Sequence, residues 1–317
     1  KSVYCKTFTE LQKNIGYPKP PTIPGRVIFD SYRIIKKDVT IRLYKYDLGT
    51  VSKNLINEEK LDVNFTEIPK LWKNNTRRLV RYALKDAELA MNLIIKVKLI
   101  NKFIELSKIS GVLLQDAFGG QSIRIETMIL HEFKKRNMLM PLKPTTREIN
   151  ERISKKIKGA VVLEPEKVLH TNIVIVLDFR SLYPSIISMY NISPDSLIMD
   201  NNKLDHYKSP TNDRFVHRNI YRGVIPTIIN RLINARVLIK KKMKKLEGIE
   251  RDILDARQHA IKILANSFYG YCGYVRSRLY MNPVANSITA FGRHLSLIHI
   301  SEPTRPLYIS YAVFCLK

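Results

Sequence analysis

Four places in the chain carry residues whose types and spacing could do chemistry. Asp178 stands where an unbroken apolar run, residues 173–177, comes to an end. That run has the length and β-branched composition of a buried strand. A carboxylate fixed at a strand exit is placed to hold a divalent cation, and the turn after it leaves room for metal and phosphate. Its plainer role would be to cap the following helix. Lys262, Asn266 and Tyr269 step by four and three, so a helix would carry them on one face. Arg236 and Lys240 are one turn apart on another candidate helix. If those helices face each other, three cations share a small volume, and only an anion stabilises the set. A triphosphate supplies such charge, and arginine can grip its oxygens in a bidentate way. The plainer alternative is a solvated basic face. Tyr82 and Asp86 are the fourth place, four residues apart on one helix face. Taken alone, that pair reads as ordinary surface.

The elements that must position these residues follow from periodicity. Residues 76–105 read as strongly helical, with Leu79, Tyr82, Ala83, Asp86, Leu89, Ala90 and Leu93 on three- and four-residue steps. Residues 121–133 predict an amphipathic helix, 140–146 a proline-punctuated linker, and the stretch after it a charged helix to Lys158. Residues 194–217 read as loop and hairpin. Residues 223–226 open a long helix with an apolar stripe at Ile228, Ile229, Leu232, Ile233 and 235–238. The basic run at 240–245 suits the negative end of that helix. Gly248 marks a turn, and a second helix runs from about 250 to 269, which makes a helical hairpin. Residues 25–32 read as a short strand with an acidic end.

The 317 residues suffice for two or more domains, and 45% hydrophobic with 9% aromatic residues is a globular composition. Lys and Arg number 54 against 28 Asp and Glu, a net charge of +26. Such a surface favours a polyanion, nucleic acid first and an acidic membrane second. The Lys-, Ile- and Asn-rich usage of an AT-rich genome would give the same excess. Three cysteines, Cys5, Cys272 and Cys315, lack paired spacing, which argues against a disulfide frame and a zinc site. No apolar run approaches a membrane span and no signal peptide opens the chain, so a cytoplasmic protein without membrane partners is expected.

DFRSLYPSII (178–187) and KILANSFYG (262–270) resemble the first and second polymerase motifs of the family B DNA polymerases. YALKD (82–86) resembles the third 3′–5′ exonuclease motif of that family, and 25–32 its GRxxxD strand. IKGAVVLEP (157–165) is similar to the Tyr-x-Gly-Gly/Ala segment that contacts the template, with Ile157 where the family has Tyr and Gly159 open to phosphate. SITAFGRH (287–294) resembles the helix that returns to the palm. The resemblance spans roughly 25–294, is of the archaeal type, and implies an α/β (α+β multidomain) fold. Residues 1–105 would be the C-terminal part of a ribonuclease H-like exonuclease domain, 106–170 a connecting segment and 171–225 the first part of the palm, its sheet incomplete. Residues 226–275 would be the fingers hairpin and 276–294 the return to the palm.

What the resemblance implies is template-directed DNA synthesis. A primer 3′-hydroxyl attacks the α-phosphate of a dNTP at a two-metal Mg²⁺ site. Asp178 would bind both ions with the Phe179 carbonyl. Phe179, Ser181, Leu182, Tyr183, Arg236, Lys240, Lys262, Asn266 and Tyr269 would line the nucleotide. Tyr183 would stack under the sugar and exclude a 2′-hydroxyl. Arg236, Lys240, Lys262 and Asn266 would hold the triphosphate, while Tyr269 abuts the nascent base pair. Asp86, with Tyr82, would be the remnant of an exonuclease metal site. Primer–template DNA, dNTP and a sliding clamp, bound through a C-terminal segment outside this chain, are the implied partners.

After His294 the resemblance stops. LSLIHISEPTR (295–305) and ISYAVFCLK (309–317) match, codon by codon and in one frame, two ends of a translated sequencing-library adapter, with barcode-length spacing between them. Residues 295–317 therefore read as a non-native tail on an internal polymerase fragment. The family's Asp-Thr-Asp hairpin and thumb are not in the sequence, and its first two exonuclease motifs would precede Lys1. Neither extension nor nuclease activity is expected of the chain as it stands. Two other classes remain: a non-catalytic nucleic-acid-binding relative of the polymerases, and a nuclease, against which the intact polymerase motifs argue.

Overall fold

The computed structural model describes residues 25–37, 41–155, 157–161, 179, 181–199 and 204–301. The strand expected at 173–177, Asp178 at its end, and the adapter-like residues after 301 lie outside them. The described residues are mostly helical, with one two-stranded antiparallel sheet, so the mixed α/β class holds with its weight on helix. The chain divides into two compact units. One is Lys1–Ile104 with Leu113–Gly119, the other Glu105–Val112 with Gly120–Lys317.

In the first unit, α1 (Ser31–Lys37), α2 (Leu48–Ile56), α3 (Ile68–Asn74) and α4 (Thr76–Lys96) precede α5 (Leu99–Ser110), and α6 (Leu114–Ala117) follows it. The unit boundary cuts α5. Asp47 caps α2 by accepting from Thr50 N at 3.0 Å, and Asn75 caps α4 by accepting from Arg78 N at 3.1 Å. The helical stretch expected over 76–105 is broken in two at Lys98, whose φ of 55° is left-handed. Core phase explains the break. An unbroken helix would turn Lys96 and Val97 inward after Leu93, whereas the turn at Lys98 buries Leu99 and Phe103. The strand expected at 25–32 does not form. The carboxamide of Gln115 takes the place of a partner strand at Ile28, accepting from Ile28 N at 2.8 Å and donating to Ile28 O at 3.3 Å. The chain then enters α1 at Ser31. Phe29, Phe103 and Phe118 pack edge to face, Phe29 lying 5.0 Å from Phe118 and Phe103 lying 5.1 Å from it.

The second unit holds α7 (Gln121–Lys135), α8 (Thr146–Ile153), α9 (Leu182–Met189), β1 (His206–Lys208), β2 (Arg214–Val216), α10 (Val224–Met243), α11 (Gly248–Gly273) and α12 (Asn282–Ser301). A full capping box, Thr145 with Glu148, starts α8, which stops at Ile153 rather than running to Lys158. β1 and β2 pair antiparallel as the expected hairpin, Tyr207 opposite Phe215. α10 and α11 form the expected helical hairpin. Its stripe is buried at Ile228, Ile229 and Leu232, but Leu238 is 60% exposed and Ile239 lies inside instead. α12 runs on from His294 to Ser301.

A buried polar knot sets where α10 begins. Asn191, left-handed at φ 52°, donates to Val216 O (2.9 Å) and Tyr221 O (2.8 Å) and accepts from Gly223 N (2.9 Å). Asp195 accepts from Val224 N at 3.0 Å and from the Tyr221 hydroxyl at 2.5 Å. Burial, then the bond to Asp195, push the Tyr221 hydroxyl up to about 12. A Cβ on Gly223 would lie 2.7 Å from Ser193 Cβ, so only glycine fits at this crossing.

Candidate functional site

Around Tyr183 and Tyr269 the second unit gathers residues from three helices and one loop. Ser181, left-handed at φ 54° and ψ 49°, turns the chain into α9. Pro184 follows within the first turn, where a missing N–H costs nothing. Tyr183 is thereby set on the opening turn of α9, and its ring centroid lies 4.7 Å from that of Tyr269 on α11, the planes tilted by 38°. α12 offers bare backbone beneath this pair, since a Cβ on Gly292 would come within 3.1 Å of Tyr183 Cε1. Burial, and then the neighbouring Tyr183, push the Tyr269 hydroxyl above its ordinary value, while Arg293 pulls the other way.

Arg293 also fixes the loop at 157–161. Its Nη1 donates to the carbonyls of Lys158 (3.0 Å) and Gly159 (2.7 Å). Thr289 Oγ1 donates to Lys158 O at 2.8 Å, and Lys158 N donates to Asn286 Oδ1 at 3.1 Å. A Cβ on Gly159 would meet nothing within 4 Å, so packing within the protein does not demand glycine there. Ile157 is spent on packing: a Cβ on Gly273 would stand 3.0 Å from its Cδ1.

The cationic residues lie along the hairpin. Arg236 Nε donates to Gln258 Oε1 at 3.2 Å, which sets those two residues level across α10 and α11. Lys262 is one turn beyond Gln258, and Lys240 is one turn beyond Arg236 in the opposite direction. Arg236, Lys240 and Lys262 therefore form a row about 12 Å long in helix rise rather than meeting at a point. Asn266 continues the row; Lys240, Lys262 and Asn266 are exposed. Gln258, which the sequence pattern did not single out, sits in the middle of it.

Asp178 lies outside the described residues, and Phe179 beside it is half-buried. Among the described residues no group of three or more His, Cys, Asp or Glu side chains could hold a metal. In the first unit Tyr82 and Asp86 do share a face, and a residue far off in sequence completes the set. Lys60 Nζ lies 3.1 Å from Asp86 Oδ2 and 5.0 Å from the Tyr82 ring centroid. Burial works against the Lys60 charge, but the Tyr82 hydroxyl and the Asp86 carboxylate hold its amine above the usual range. Asp86 Oδ1 is buried with no hydrogen-bond partner. One orphaned oxygen beside an ammonium is too small a donor set for two metals. Nothing in the periodicity marks Lys60, which lies in a loop.

The profile of the family described as DNA polymerase family B matches residues 113–301. The chain is 35% identical over 294 residues to DNA polymerase 1 of Pyrococcus abyssi (strain GE5 / Orsay), covering 91% of this chain and 37% of that protein. It is 33% identical over 302 residues to the DNA polymerase delta catalytic subunit of Arabidopsis thaliana, covering 91% of this chain and 27% of that one. Among solved structures, the family B DNA polymerase from the hyperthermophilic archaeon Pyrobaculum calidifontis superposes with a TM-score of 0.74 at 29% identity, over 90% of this chain and 37% of that one. The chain thus spans little more than a third of the archaeal relatives it matches.

Proposed function

Because the chain belongs to DNA polymerase family B, we propose that it supplies the nucleotide-binding part of a template-directed DNA polymerase acting in replication. The observation that carries this reading is the pairing of Tyr183 with Tyr269 at 4.7 Å, about two turns along α11 from Lys262, the near end of the cationic row. An aromatic floor beside a line of cations suits a nucleoside on one side and its triphosphate on the other.

In this reading Tyr183 lies under the sugar, held up by the bare backbone at Gly292, and leaves no space for a 2′-hydroxyl. Phe179, Ser181 and Leu182 bring the turn of the first polymerase motif to the phosphates. Arg236, Lys240, Lys262 and Asn266 neutralise and orient the triphosphate, and Tyr269 abuts the new base pair. The loop at 157–161, tied down by Arg293, meets the template backbone. Asp178 and the Phe179 carbonyl would hold Mg²⁺, which when bound offsets the charge of the reacting phosphates. Asp86, engaged by Lys60, is the remnant of an exonuclease site.

Primer–template DNA and dNTP are the partners, and a sliding clamp would engage the polymerase elsewhere. Among the described residues no helix is long and apolar enough to cross a membrane, and a cytoplasmic location fits the activity. Identities of 35% to an archaeal and 33% to a plant relative leave the archaeal type a proposal. In-line transfer needs at least two fixed carboxylates, and the motifs assign one, Asp178, so the isolated chain should bind without extending. The test is a family B polymerase whose corresponding segment is replaced by residues 25–294 of this chain. Asp178→Ala should abolish primer extension there while DNA binding persists. Extension that survives the substitution would remove Asp178 from the site.

A further inference from the structure

The hydrogen bond between Arg236 and Gln258 joins the two hairpin helices through polar side chains within the cationic row. Gln258 is only 6% exposed, yet it faces a guanidinium on one side and a carboxylate on the other. Its Nε2 donates to Asp255 Oδ1 at 2.9 Å, and its Oε1 accepts from Arg236 Nε at 3.2 Å. Chemistry fixes this orientation. An ionised Asp255 can only accept and Arg236 can only donate, so a flipped carboxamide would lose both bonds. Asp255 is half-exposed, with His259 Nε2 3.8 Å from its Oδ1.

Arginine carries a long side chain with several rotatable bonds, and ordering it on a ligand costs rotamer entropy. An acceptor aligned on Nε removes the rotation about the last flexible bond and sets the plane of the guanidinium. A flat two-pronged donor grips phosphate oxygens only if that plane is right. We propose that Gln258, itself oriented by Asp255, is a positioning residue that presets Arg236 for the triphosphate. This inference rests on the nucleotide-site reading above and adds the residues that make its arginine ready before the nucleotide arrives.

The experiment measures the affinity of the 317-residue chain for inorganic tripolyphosphate by calorimetry, with thermal melting to confirm that each variant is folded. Gln258→Met keeps the volume and removes the aligned acceptor, and affinity should fall about five-fold. In an Arg236→Met background the same substitution should change nothing further, because a positioning residue acts only through the group it positions. A merely structural glutamine would weaken both backgrounds alike. Asp255→Ala gives a second reading at a half-exposed site. Removing an acid near a phosphate site should tighten anion binding by charge alone; loss of the orienting bond should weaken it about two-fold instead.

Weaker binding in Asp255→Ala, with no further loss from Gln258→Met once Arg236 is gone, supports the proposal. If Arg236→Met loses affinity while Gln258→Met does not, the nucleotide-site reading stands and the positioning role is refuted. If Arg236→Met itself has no effect, the triphosphate assignment falls and the positioning role falls with it.

Discussion

Gly292 shows how much one missing side chain can decide. A Cβ there would sit 3.1 Å from Tyr183 Cε1, so a β-branched residue has to displace the ring. In the polymerase carrying this segment, Gly292→Val should push Tyr183 off Tyr269 and lower the rate of single-nucleotide addition about ten-fold, since small misplacements of a positioning group are costly. Stopped-flow extension assays would show it, and an unchanged rate would mean that Tyr183 is not set by this contact. Asn191 tells a related story about stability. It is fully buried, left-handed and bonded to three backbone groups. Asn191→Ala should cost about 3 kcal/mol in urea unfolding, from stranded polar groups and a strained φ. Such residues are hard to see in sequence: Asn191 follows the first polymerase motif as one more polar residue. Gln258 was equally silent, because its importance is a contact between two helices and not a spacing along one.

At the level of elements, the hairpin of α10 and α11 was legible because its apolar stripe, basic end and turn glycine all agree. The breaks were not. The helical stretch expected over 76–105 divides at Lys98 because the core phase shifts there, which local propensity does not reveal. The strand expected at 25–32 gave way to a pairing with Gln115, a side chain almost ninety residues distant that imitates a strand edge. What anchors α10 to α7 is also nonlocal. Glu132 accepts from Arg231 Nη2 at 2.6 Å and Arg136 Nε at 3.3 Å. Arg136 in turn donates to Arg222 O at 2.8 Å and Thr227 Oγ1 at 2.7 Å. Burial would raise the Glu132 carboxyl, but the two arginines, Arg231 foremost, hold it below the ordinary glutamate value. Glu132→Gln keeps the shape and removes the charge, so it should lower unfolding free energy by about 2 kcal/mol, read from the urea midpoint.

Across the whole molecule, the two units should respond to acid through different carboxylates. In the first unit Glu58 accepts from Lys96 at 2.7 Å and Lys85 at 3.0 Å, and these bonds, Lys96 first, depress its carboxyl to about 2 from 4.5. A depressed carboxylate contributes stability that is fully present above its unfolded value and is lost as pH falls through its folded one. The melting-temperature gap between the native chain and Glu58→Gln should therefore be constant above pH 4.5 and close as pH approaches 2. A gap that persists at low pH would mean that the Lys85 and Lys96 pairs do not stabilise the fold. The +26 charge, which pointed to nucleic acid, fits a polymerase, but the site itself became legible only through the two motif strings that resemblance supplied. Their meeting through Tyr183 and Tyr269, from helices far apart in sequence, is what the fold adds. The most direct test of that claim is the sugar selectivity of Tyr183→Ala in the polymerase carrying residues 25–294. If the tyrosine pair is the nucleotide pocket, the ratio of ribonucleotide to deoxyribonucleotide incorporation should rise by about ten-fold or more. An unchanged ratio, with extension intact, would show that the sugar does not lie against Tyr183 and that the nucleotide sits elsewhere.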